Sequence, residues 1–207
     1  MYIPEFNRVE DNAVTLPFLQ ANPFAILISP GEDGPFASHI PVLARFADGQ
    51  LHVRGHLAKA NPHCKLLERD QESLVIFNGP HAYISPRLYE NRESVPTWNY
   101  AAVHVYGRTT TFGNPDQLNQ LLVELIAQFD SQYGDQWASF GEQYRSRMLS
   151  HIVGFELIAT RVETKFKLSQ NRTRAEQENI IRSLAGSPDS HESAVAELMR
   201  GRGLGSR

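Results

Sequence analysis

The sequence predicts a mainly β chain with flanking helices, built as a small barrel with helices packed outside it. Three observations carry this expectation. About six segments of strand character fall in the first two-thirds of the chain, one long amphipathic helix follows them, and strand character returns before two C-terminal helices. With 207 residues, 41% of them hydrophobic and 21% charged, the chain has ordinary globular composition and can bury a sizeable core.

Val14, Phe18 and Leu19 recur at helical spacing in Asp11–Ala21, so a helix is expected there. Phe24–Ile28 then reads as a buried strand, stopped by the Ser29-Pro-Gly-Glu-Asp-Gly34 turn. Phe36–Ala44, Gln50–His56 and Ser73–Asn78 are strand-like, and a short helix over Asn61–Arg69 separates the last two. Ala82–Ile84 is a further strand candidate, and a long strand runs from Trp98 to Phe112, where three consecutive threonines favour β structure. Asn114-Pro-Asp-Gln117 combines an N-cap with a proline at the first helical position. The helix it starts carries Leu118, Leu121, Leu122, Leu125, Ile126 and Phe129 on one face. Gly154–Leu168 returns to strand. Thr173-Arg-Ala-Glu176 is a capping box for a helix with Ile180, Ile181 and Leu184, and a last helix after Ser187-Pro188 carries Ala194, Val195, Leu198 and Met199.

A net charge of −3 has the wrong sign for binding nucleic acid through the overall field, so DNA would need a local basic patch. The tail with Arg200, Arg202 and Arg207 is the one basic stretch, and a short Gly/Arg end reads as a fraying terminus. Neither a leader peptide nor an apolar run of about 18 residues is evident, which points to a cytoplasmic protein. Cys64 is the only cysteine, which excludes an internal disulfide and a multi-thiolate metal site and suggests a structural thiol. Hydrolase, metalloprotease, P-loop and dinucleotide-fold motifs are absent, and His52 with His56 are too few ligands to define a metal centre.

Three segments are unusually polar for strands and their exits: Ser38-His-Ile-Pro41, His52 to Asn61, and Lys165 to Arg172. Alternation places His52, Arg54 and His56 on one face and Leu51 and Val53 on the other. Lys165 and Lys167 likewise share a face, with Cα atoms roughly 7 Å apart, close enough for both amines to grip one phosphate. Lys59 and Asn61 sit at an expected helix start, where backbone N–H groups favour an anion. A wet sheet face explains each segment alone; together they suggest an anionic ligand. Tyr83 and Trp98-Asn-Tyr100 add aromatic faces beside polar groups, which suit a flat heteroaromatic ring.

The strings Ser38-His-Ile-Pro41, Gly55-His-Leu-Ala-Lys-Ala-Asn-Pro62, Val95-Pro-Thr-Trp-Asn-Tyr100 and Lys165-Phe-Lys-Leu-Ser-Gln-Asn171 resemble the signatures of the PaiB-type FMN-binding negative transcriptional regulators. The resemblance runs from Met1 to about Leu184. It implies an FMN-binding split β-barrel over residues 1–170, related to pyridoxamine-phosphate oxidase-like proteins, with a C-terminal helical extension over 171–207. It also implies a homodimer with each FMN between two subunits. Carried onto this chain, Ser38, His39, Arg54, His56, Lys59 and Asn61 would hold the phosphate, while Trp98, Asn99, Tyr100, Lys165, Lys167 and Gln170 would approach the isoalloxazine ring. No helix-turn-helix pattern accompanies the regulatory role, so repression would be indirect or would use a surface of the dimer. Two alternatives stay open. One is a flavin-dependent oxidoreductase of a small molecule, with no catalytic acid or base identified. The other is a barrel that takes another planar anion, haem or a deazaflavin, with His56, His81 or His104 as an axial ligand.

Overall fold

A computed structural model describes Met1–Ser206, so Arg207 lies outside the described residues. Seven strands form one sheet in the order β1-β7-β4-β3-β2-β5-β6, with β7 also pairing β6. They are β1 (Arg8–Val9), β2 (Phe24–Gly31), β3 (Gly34–Ala47), β4 (Gln50–Ala58), β5 (Glu72–Ile84), β6 (Thr97–Phe112) and β7 (Ile152–Lys167). The β6–β7 pairing joins the two ends of a six-stranded run, so the expected barrel is present: a mainly antiparallel split barrel with flanking helices. Ser73–Asn78 and Ala82–Ile84, read separately from sequence, belong to the single strand β5.

The chain divides into two compact units, and β5, β6 and β7 each contribute residues to both. The barrel unit comprises Leu16–Phe77 and His104–Val162. Period-two burial along its strands puts Leu27, Val53, Val75, Phe77, Val105, Phe155 and Leu157 in its interior. Asp48 and Gly49, both at positive φ (52° and 78°), make the two-residue turn that joins β3 to β4, the geometry that Asp-Gly favours. The β6–β7 seam requires a glycine: a Cβ at Gly107 would lie 2.2 Å from the Ile158 carbonyl oxygen. Around the strands lie α2 (His63–Leu67), α3 (Pro115–Phe129), α4 (Gly134–Ser139) and α5 (Glu142–Leu149), after α1 (Asn12–Ala21), which belongs partly to this unit. The α3 start is as expected, with the Asn114 side chain accepting from the Asp116 and Gln117 backbone N–H groups.

The terminal unit comprises Met1–Thr15, Asn78–Val103 and the chain from Glu163 onward. Here β1 pairs with the end of β7, Arg8 opposite Lys165 and Val9 opposite Thr164. Helices α6 (Arg174–Ala185) and α7 (Ser190–Gly201) pack on each other. The capping box is formed in full by Thr173 and Glu176. Ile180, Ile181, Leu184, Val195 and Met199 are buried as expected, whereas Ala194 is exposed and Ala196 takes its place inside. No helix among the described residues is long and apolar enough to cross a membrane.

Candidate functional site

The twelve residues expected to bind a cofactor fall into two groups, one in each unit. Ser38, His39, Arg54, His56, Lys59 and Asn61 all lie in the barrel unit. Trp98, Asn99, Tyr100, Lys165, Lys167 and Gln170 all lie in the terminal unit.

In the barrel unit, strand alternation separates two neighbours: Ser38 is buried, while His39 is exposed and its ring lies 6.2 Å from that of Phe24. The Ser38 hydroxyl joins a chain of polar contacts. Asn61 donates to it through Nδ2 (3.2 Å), and Nδ1 of His63 lies 2.9 Å away. Nε2 of His63 lies 2.9 Å from the Ser29 hydroxyl, which is 2.7 Å from that of Ser73. His63 is wholly buried, and burial holds its pKa below the ordinary histidine value, so it is neutral at pH 7 and bridges two hydroxyls. Sequence reading missed His63; the signal was the Asn-Pro-His string, in which the Asn61 side chain accepts from the His63 backbone N–H at the start of α2.

The cationic row on β4 is formed but is not free of counter-charge. Arg54 donates to Glu124 at 2.6 Å, its Nε lies 3.8 Å from Glu156, and its guanidinium lies 5.9 Å from the centre of the Phe112 ring. His52 contacts the same Glu156 through Nδ1 at 3.1 Å. His52 Nε2 and His56 Nδ1 are both buried without a hydrogen-bond partner, and burial lowers the His56 pKa. Lys59 is exposed, and its backbone N–H donates to the His151 carbonyl.

In the terminal unit, Lys165 and Lys167 project from the end of β7. Lys165 is 7% exposed. Its amine donates to the Tyr2 carbonyl (3.0 Å) and lies 5.1 Å from the centre of the Tyr100 ring and 5.7 Å from that of Tyr2. Lys167 donates to the Thr97 hydroxyl and, at 2.8 Å, to the Trp98 carbonyl. Both amines thus have neutral oxygen acceptors. Burial, and then the charge of Lys165, push the Lys167 pKa down.

Two expected ring contacts are occupied within their own unit. The wholly buried Asn99 accepts from the Ser169 hydroxyl at 3.0 Å and lies 3.8 Å from the Met199 sulfur. Gln170 accepts from the Leu168 N–H at 2.7 Å and donates to the Phe166 carbonyl. Ser169 sits at φ 63°, an uncommon conformation for a non-glycine residue, held by the Asn99 contact. Asn99 and Gln170 therefore shape the turn that ends the lysine strand. By contrast, Trp98 is 52% and Tyr83 47% exposed, with ring centres 6.0 Å apart. His81 lies 6.0 Å from Trp98 and 4.4 Å from His191 of α7, a neighbour that sequence spacing could not indicate.

Two amines with neutral oxygen acceptors, one of them beside the Tyr2 and Tyr100 rings, make a donor set that suits a planar anion. No group of three or more His, Cys, Asp or Glu side chains suited to a metal occurs among the described residues. The lone Cys64 is buried, and burial pushes its thiol pKa up, as suits a structural residue.

Comparison with known proteins agrees in fold and family. The flavocytochrome Anf3 of Azotobacter vinelandii superposes with a TM-score of 0.63 at 14% identity, covering 80% of this chain and 72% of its own. The FAD and heme binding protein of Mycobacterium smegmatis does so with a TM-score of 0.63 at 13% identity, covering 78% and 73%. The protease synthase and sporulation protein PAI 2 of Bacillus subtilis is 33% identical over 201 residues, 96% of each chain. The family described as "Putative FMN-binding domain" matches residues 1–161. With its split barrel, its ordered motifs and near full-length similarity to PAI 2, the chain belongs to the PaiB-type family of FMN-binding domains.

Proposed function

We propose that this chain is a flavin-binding, PaiB-like transcriptional regulator acting as a homodimer, with FMN at the subunit interface. The observation that carries the reading is the Lys165–Lys167 pair, two cations with neutral acceptors beside Tyr100 and the exposed Trp98. Lys167 would face the N1/O2 edge of the isoalloxazine, where negative charge gathers on reduction, and so would tune the potential of the bound flavin. Ser38, Asn61 and Lys59 are the barrel-unit groups proposed for the phosphate, with Arg54 shared with Glu124. Exposed Tyr83, Val95 and Trp98 supply apolar area that a second copy would cover.

The test is an absorbance spectrum from about 300 to 600 nm, FMN titration and solution mass. Bound flavin in a dimer, with affinity reduced in Lys167→Ala, supports the reading; unchanged affinity in that variant removes the ring assignment. Regulation is tested separately by binding to the protein's own upstream DNA across a salt series, because phosphate contacts make affinity fall steeply with salt.

A second reading, haem in place of flavin, rests on His56, whose imidazole is biased by burial to the neutral form that ligates iron. The same spectrum separates the two, since haem and flavin absorb in distinct bands.

A further inference from the structure

Helix α3 carries two apolar stripes. Leu118, Leu121 and Leu125 are buried. Val123, Ile126 and Ala127 lie on another side, where Val123 is 48% exposed. With Asn119, Ser131, Gly134, Trp137, Ala138 and Arg145 they line a groove of about 300 Å³ within the barrel unit. That volume is at the lower end for small-molecule sites and corresponds to roughly ten water molecules at about 30 Å³ each.

The floor of the groove is built rather than accidental. The Trp137 indole N–H donates to the Asn119 side-chain oxygen at 3.1 Å, which fixes the ring against α3 and leaves its apolar body as lining. Phe140 packs edge-on to Trp137, and Tyr144 edge-on to Phe140, which braces α4 against α5. Arg145 is the only charged residue lining the groove. It is half-buried, and among the described residues its guanidinium has no ion-pair or hydrogen-bond partner. An unpaired, partly desolvated guanidinium beside an apolar trough is complemented by a carboxylate that carries an apolar chain.

We propose that this groove is a binding site for a small carboxylic acid with an apolar chain, the carboxylate on Arg145 and the chain along Val123, Ile126 and Trp137. The inference is independent of the flavin reading. In a regulator such a site would admit an effector.

The experiment is calorimetric titration of the full-length protein with decanoate and, as a control lacking charge, decanol. Saturable decanoate binding at one site per chain is expected. It should weaken at least about tenfold in Arg145→Gln and in Ala138→Phe, and decanol should bind at least about tenfold more weakly than decanoate, the scale of one charge-assisted hydrogen bond. Arg145→Lys, which keeps the charge, should retain part of the affinity. Absence of saturable binding, or smaller differences than these, overturns the proposal. So does a change of oligomeric state in Ala138→Phe without decanoate binding, which would assign the groove to a second copy. The decanoate–decanol comparison uses the unaltered protein and stands even if a variant fails to fold.

Discussion

The two groups of candidate residues bury polar side chains in opposite ways. In the barrel unit, Asn61, Ser38, His63, Ser29 and Ser73 satisfy one another, and Arg54 is matched by Glu124. In the terminal unit, Lys165 and Lys167 keep positive charge against neutral oxygens, with Lys167 further disfavoured by its neighbour. A satisfied buried network specifies structure, whereas uncompensated cations add nothing to the fold that an apolar residue could not. The barrel-unit group should therefore act first on stability, and the lysine pair first on ligand binding.

The largest effect should come from His63→Ala. It leaves a cavity and takes one hydrogen-bond partner from each of the Ser29 and Ser38 hydroxyls, and should cost about 3 kcal/mol of unfolding free energy in a denaturant titration. A loss below about 1 kcal/mol would break the comparison on the barrel side. Next, Lys167→Met should weaken FMN binding about tenfold or more while moving the unfolding free energy by less than about 1 kcal/mol. Large destabilisation with intact affinity would reverse the roles assigned to the two groups.

The pH dependence sharpens the same contrast. His63 and His56 both have folded pKa values below the ordinary histidine value because of burial. The unfolded chain therefore binds protons first on acidification, so stability should fall as pH drops below about 6.5. Replacing His63 or His56 by Gln should flatten unfolding free energy against pH between about 7 and 5; an unchanged slope would exclude these residues as its source. The smallest effect is expected for Thr173→Ala, which removes the α6 capping box at about 1 kcal/mol. It should leave FMN affinity unaltered, and so serves as a stability control within the terminal unit.

Much of the fold was legible where local chemistry is decisive. Asn114, Pro115 and the Thr173–Glu176 box start helices for reasons contained within a few residues. Strands β2 to β7 showed in their apolar runs and alternation. The polar helices α4 and α5 were not anticipated, because Glu142–Leu149 has no sustained apolar stripe. The two-residue β1 exists only through its pairing with β7. The candidate site was legible in composition and less so in role. Asn99 and Gln170 look alike in sequence to any exposed amide, and only their buried partners show that they hold the chain near Ser169.

By itself, the sequence determined the order of strands β2 to β7 and of the amphipathic helices, the helix caps, the acidic net charge and the motifs that mark the family, because each rests on residue types and short spacings. Tertiary structure decided which polar groups are spent on one another. The pairing of Arg54 with Glu124, the bridging of Ser29 and Ser38 by His63, and the neutral partners of the two lysines all depend on residues far apart in the chain. Electrostatic roles follow from distance in space and from desolvation, and neither can be read along a single strand.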